Sequence, residues 1–208
     1  MPTSRQIEWG LKPAVFLLAL VPFALLAFDA FADRLGANPV DTITRETGQW
    51  TLRFLLITLA VTPLRRLTGW NPVVRFRRML GLFAFFYLCM HFMTFAGIDH
   101  FFVWRDIVED VFKRPYITVG FSSFLLLIPL AITSTNAMQR RLGGKKWKRL
   151  HQLVYVAATG GVLHFLWLVK SDTREPLIYL SVLTLLLILR LPAAARWRPA
   201  LRTQPQAH

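Results

Sequence analysis

The sequence predicts an all-α integral membrane bundle of six helices with both termini on the cytoplasmic side. Three observations carry this expectation. Of the 208 residues, 54% are hydrophobic, and they gather in six apolar runs of about the length a helix needs to cross a bilayer core. The 25 Lys and Arg, against 11 Asp and Glu, lie between these runs and form no basic face, so the net charge of +14 does not indicate nucleic-acid binding. The charges are also segregated. Residues 1–12, 65–78, 140–149 and 190–208 hold 17 of the cations and a single acid, Glu8, whereas the intervening stretches hold 8 cations and 10 acids.

The runs are residues 13–32, 50–64, 79–98, 116–133, 151–169 and 176–191. The first ends in Ala30-Phe31-Ala32, a spelling suited to signal peptidase. Its apolar stretch is longer than a signal-peptide core, which favours a retained helix. The second is the shortest and carries Arg53 near one end, where a long side chain can snorkel to the interface. Short Lys/Arg-rich loops stay cytoplasmic, so the loops around residues 33–49, 99–115 and 170–175 are expected outside. Trp50, Trp104, Trp147 and Trp167 fall near run ends, as an aromatic belt requires. The chain divides into a cytoplasmic N-terminus (1–12), a membrane domain (13–192) and a basic tail (193–208). That tail is expected to be disordered, at the surface of anionic lipid.

No stretch outside the runs is long enough for a soluble catalytic domain, and no phosphate-binding glycine motif follows a strand. Cys89 is the only cysteine, which excludes an internal disulfide and covalent haem attachment through C-x-x-C-H.

Histidine is then the informative residue type. His208 ends the tail, and His100, next to Asp99 in an outer loop, reads as a solvated side chain. His91, His151 and His164 lie in or at the edge of the third and fifth runs, where ionisable groups are expensive and usually mark a site. His91 is six residues before Gly97 and His164 six before Lys170, and both segments run outward. Their imidazoles are therefore expected at one depth, where a pair can take both axial positions of a haem iron. The alternative is a pair of core histidines hydrogen-bonded to backbone or water.

His151 lies 13 residues before His164, roughly 20 Å deeper along an ideal helix and about 140° around it. Gly160-Gly161 offers a place for a kink between them. The third run has no histidine at that inner level, where Arg77 and Arg78 stand instead. Arginine cannot ligate iron but binds anions well. Either His151 finds another partner, or the inner site takes a phosphate or a haem propionate against these arginines; an interfacial histidine beside Trp147 is the plainer reading.

The stretches "RRMLGLFAFFYLCMHF", "ITSTNAMQRRLGGKKWKRLHQLVY" and "GGVLHFLWLVK" resemble those of the MsrQ family, formerly YedZ, the haem-binding membrane subunits of bacterial MsrPQ systems. The likeness covers nearly the whole chain, and the W-x-x-L-H-x-L-x-Y spelling from Trp147 to Tyr155, with a histidine 13 further on, is its most specific part. More distantly the chain is similar to the ferric-reductase transmembrane domain shared with NADPH oxidases, whose members carry two bis-histidine haems.

The resemblance implies a multi-pass protein of the bacterial inner membrane that binds haem b, one or two, and FMN. His91, His151 and His164 match the family's histidines. Electrons would come from the quinone pool or a cytosolic flavin reductase and go to a periplasmic molybdopterin enzyme, MsrP, that repairs methionine sulfoxide in oxidised proteins. Catalysis would then reside on the partner. Rival readings are a stand-alone ferric or cupric reductase, and a haem-free scaffold or transporter with the histidines on a proton path.

Overall fold

The computed structural model describes residues 7–190; the expected tail at 193–208, with His208, lies outside them. Every regular element among the described residues is helical. A π-helical turn, Ile7–Leu11, leads into α1 (Lys12–Phe31), which has a proline in its first turn and Pro22 inside. The second helix, α2 (Pro39–Thr68), is capped by the Asn38 side chain, which accepts from Asp41 N–H at 3.2 Å, and ends at Gly69 in the left-handed region, φ 68°. A 3₁₀ turn, Asn71–Phe76, then starts α3 (Arg77–Met93), and a π-helical turn, Thr94–Asp99, continues it outward.

The loop at 99–115, expected outside, contains α4 (Trp104–Lys113), which buries Ile107 and Val111. Next come α5 (Pro115–Ile132), two short helices α6 (Asn136–Leu142) and α7 (Gly144–Leu150), then α8 (Leu153–Leu168) and α9 (Arg174–Ile188). Among the described residues, three helical stretches are long and apolar enough to cross a membrane: Trp9–Phe31, Asn71–Asp99 and Pro115–Ile132. In each, only 11%, 33% and 17% of the most apolar window is buried in the bundle, so their greasy outer faces are left for lipid. The other three runs behave differently. Residues 50–64 form the middle of a much longer helix, diluted by Gln49, Arg53 and several threonines. The last two give α8 and α9 of 16 and 15 residues, about 24 Å or less when straight.

Two buried clusters hold the bundle together. One joins α1, α2, α3 and α5 around Phe54, Phe83 and Tyr87; Phe54 stacks on Tyr87 at 5.4 Å and on Phe83 at 5.7 Å. The other joins α2, α8 and α9 through Leu52, Leu56, Leu59, Ala158, Val162 and Leu183. Tyr87 is 1% exposed, and its hydroxyl enters α1 beside Pro22, donating to Ala19 C=O at 2.8 Å and accepting from Phe23 N–H at 3.1 Å. The proline has no N–H to complete the ladder there, and the tyrosine pins the first helix to the third.

α8 runs unbroken through Gly160 and Gly161, from Leu153 to Leu168. These glycines bring it close to its neighbours. A Cβ on Gly160 would meet Ser123 Oγ of α5 at 2.2 Å, and one on Gly161 would meet Leu52 of α2 at 3.1 Å. The break falls earlier, at His151 and Gln152, between α7 and α8.

Candidate functional site

The outer pair forms where two packed helix pairs meet. His91 projects from α3 toward α2, and its Nδ1–H donates to the carbonyl of Thr44 at 2.9 Å. His164 projects from α8 toward α5, and its Nδ1–H donates to the carbonyl of Tyr116 at 2.6 Å. A carbonyl can only accept, so each Nδ1 carries the proton and each Nε2 keeps its lone pair. That is the tautomer a metal-bound imidazole needs, with the other nitrogen anchored on backbone. The ring centroids are 6.1 Å apart and the planes stand at 81°. Two imidazoles on opposite sides of one metal, each bonded at about 2 Å, hold their centres roughly 6 Å apart. The pair therefore fits a bis-histidine haem. No cluster of three or more His, Cys, Asp or Glu suited to a metal ion occurs among the described residues.

His100 is not the solvated loop histidine its sequence context implies. The return of α4 over the end of α3 brings its Nε2 to 3.4 Å from Asp110 Oδ2, and its ring packs edge-on against Phe95 at 4.6 Å.

At the inner end His151 is held differently. Its ring stacks on Trp147 at 3.9 Å, and Nε2 lies 3.1 Å from Thr133 Oγ1. The Thr133 hydroxyl donates to Pro129 C=O at 2.6 Å, so Nε2–H is the donor to Thr133. Its tautomer is thus opposite to that of the outer pair, and Nδ1 holds the free lone pair. Trp147 Nε1–H donates to Thr133 C=O at 2.8 Å and fixes the stack.

Arg77 and Arg78 both act electrostatically on His151, but they diverge. Exposed Arg78 points its Nη1 at Ser134 C=O, 3.4 Å away. Half-buried Arg77 interacts electrostatically with Arg190 and Tyr155. Arg190 donates to Tyr155 Oη at 2.7 Å and to Leu59 C=O, while its Nε is enclosed without a partner. Arg77 thus shares its electrostatic surroundings with Arg190, 113 positions away, a neighbour that the sequence did not indicate. Carbonyl anchors such as Thr44 and Tyr116 have no residue-type signature, and only the structure locates them.

Residues 47–162 match the family model described as the ferric reductase like transmembrane component. Several proteins named protein-methionine-sulfoxide reductase heme-binding subunit MsrQ are similar over most of the chain. That of Herminiimonas arsenicoxydans is 57% identical, covering 91% of this chain and 87% of its own. Those of Rhodospirillum rubrum and Xanthomonas euvesicatoria are 52% and 51% identical, covering 89% and 93% of this chain and 89% and 92% of theirs. With the ferric-reductase match covering residues 47–162 and these identities running over most of the chain, the chain belongs to the MsrQ family of ferric-reductase-like membrane proteins.

Proposed function

We propose that this chain is the haem-b-binding electron-transfer subunit of a methionine sulfoxide reductase system. It accepts electrons from the quinone pool or a cytosolic flavin reductase and delivers them to a periplasmic molybdopterin reductase of the MsrP type. The observation that carries this reading is the facing pair His91 and His164, each with Nδ1 anchored on a carbonyl and Nε2 free. A haem iron held between them supplies reversible one-electron exchange. The two imidazoles hold the group, their carbonyl partners fix the tautomer, and the lipid-facing helices keep bulk water from it.

The segregation of 17 cations onto alternate loops supports six crossings with both termini cytoplasmic, in the bacterial inner membrane. α1, docked onto α3 through Tyr87, supports a retained first helix. Electron entry is assigned to the inner end, where His151, Arg77 and Arg78 lie. Arg77, with Arg190 across from it, is suited to an FMN phosphate or the propionate of an inner haem, and His151 to that second redox group.

The test is the spectrum of the purified chain and of its ligand variants. A low-spin b-type signal is expected in the wild type and its loss in His91→Ala and in His164→Ala. Reduced haem should be reoxidised on adding the periplasmic reductase with methionine sulfoxide. Full reduced-minus-oxidised absorbance in both single variants would overturn the site, and no reoxidation would overturn the acceptor.

A further inference from the structure

We propose that Gly48 and Gly120 are positioning residues for the two imidazoles. Each is a gap in a helix wall through which a ring reaches the backbone carbonyl one turn earlier. The proposal rests on the reading of His91 and His164 as ligands of one haem, and adds what sets their angle and donor strength.

The same device occurs twice on different helix pairs. Thr44 precedes Gly48 by four residues in α2, and Tyr116 precedes Gly120 by four in α5, the spacing of successive partners in the helical ladder. The carbonyl that accepts each Nδ1–H is thus bordered by a bare Cα. A Cβ on Gly48 would lie 3.1 Å from both Nδ1 and Cε1 of His91. On Gly120 it would lie 2.7 Å from Nδ1 and 3.0 Å from Cε1 and Cγ of His164. Neither ring can keep its place beside a methyl group, and the conflict is sharper at Gly120. Gly81, in α3 with His91, is a contrast: its Cβ would meet Thr58 Cγ2 at an ordinary 3.7 Å.

Glycine is otherwise a poor residue for a helix interior, so ring access accounts for its presence at these two sites. An Nδ1–H donated to a carbonyl raises the basicity of Nε2 and favours the oxidised metal. The bond at 2.6 Å makes His164 the stronger donor of the two. Pressing a methyl onto Nδ1 lengthens this bond and turns the ring away from the 81° arrangement.

The experiment uses the full chain purified with its native haem, comparing Gly120→Ala, Gly48→Ala and Gly81→Ala by redox titration and low-temperature electron paramagnetic resonance. Gly120→Ala should shift the haem potential positive and reduce the g-anisotropy that near-perpendicular axial imidazoles produce, while haem stays bound. Gly48→Ala should move both readouts the same way by less, and Gly81→Ala should match the wild type. If Gly120→Ala fails to accumulate, Gly48→Ala decides, because there the ring need yield only slightly. Wild-type potential and resonance in the alanine variants overturn the proposal, even where His91→Ala and His164→Ala lose haem. Haem retained in full by those two ligand variants overturns the site reading along with it.

Discussion

Arg77 and Arg78 are adjacent in sequence and differ in what they can bind. Arg78 is exposed and reaches one carbonyl at the limit of hydrogen bonding, whereas Arg77 is half-buried beside Arg190 and Tyr155. No carboxylate pairs with Arg77 or Arg190 among the described residues, and the charge of Arg190 acts on Arg77; the proposed anion would relieve that repulsion. Losing a charged hydrogen bond to such an anion costs about 1.5–3 kcal/mol, roughly tenfold to a hundredfold in affinity. Arg77→Gln is therefore expected to weaken FMN retention by at least about tenfold, and Arg78→Gln to leave it nearly unchanged; flavin-to-protein ratios after dialysis measure both. Equal losses in the two variants would show that the divergence is unimportant. This difference was illegible in the sequence, which gives two arginines at the right depth but not the direction of either side chain. The partner Arg190 lies 113 positions further along and shares no local pattern with them.

At the scale of the helix, Tyr87 is the test of how α1 is held. Replacing it with phenylalanine removes the hydroxyl shared by Ala19 C=O and Phe23 N–H and is expected to cost about 1–2 kcal/mol. Thermal unfolding in detergent should report the loss, together with faster proteolysis of α1; an unchanged midpoint would mean that ring stacking alone docks the helix. α4 makes a second prediction. Glu109 accepts from Lys113, and that hydrogen bond and charge hold the Glu109 carboxyl below its ordinary range. A depressed carboxylate stabilises the fold above its unfolded pKa and ceases to as pH falls through the lowered value. The protection of α4 amides, corrected for the intrinsic pH dependence of exchange, should therefore fall slightly when the pH is taken below the carboxylate range, and Glu109→Gln should diminish that dependence. The helix itself went unread because apolar run length was the signal used, and WRDIVEDVFK interleaves its apolar positions with charge at helical spacing. The same choice hid the outer half of α2, whose Asn38 cap and Pro39 start are visible in the sequence as a helix N-terminus.

For the whole molecule, charge segregation and periodicity carry different information. Reporter fusions after Arg78 and Arg149 are expected to be active only on the cytoplasmic side, and fusions near Asp41, Glu109 and Thr173 only on the periplasmic side. One inverted pair would overturn the six-crossing map. The helical character of the described residues and three of the six expected apolar spans were readable because bilayer thickness acts on length and composition alone. Depth arguments also place His91 and His164 at one level, since rise per residue is fixed along a helix. Which helices face one another is set by small residues and shared polar contacts, as at Gly160, Gly161 and Tyr87, and these leave no periodic trace.

The hydroxyl of Tyr87 inside α1 also bears on the order of assembly during synthesis. α1 is complete long before its partner: 64 residues separate Phe23 from Tyr87, which takes the ribosome roughly 3–13 s to add. Through that interval the Ala19–Phe23 rung must close on itself, because lipid offers neither donor nor acceptor. The helix that waits in the bilayer therefore lacks two hydrogen bonds that it has in the bundle. Docking adds two hydrogen bonds across the interface beside Pro22. The first helix completes its final shape only when the third arrives, which makes Tyr87 a timing element as well as a contact.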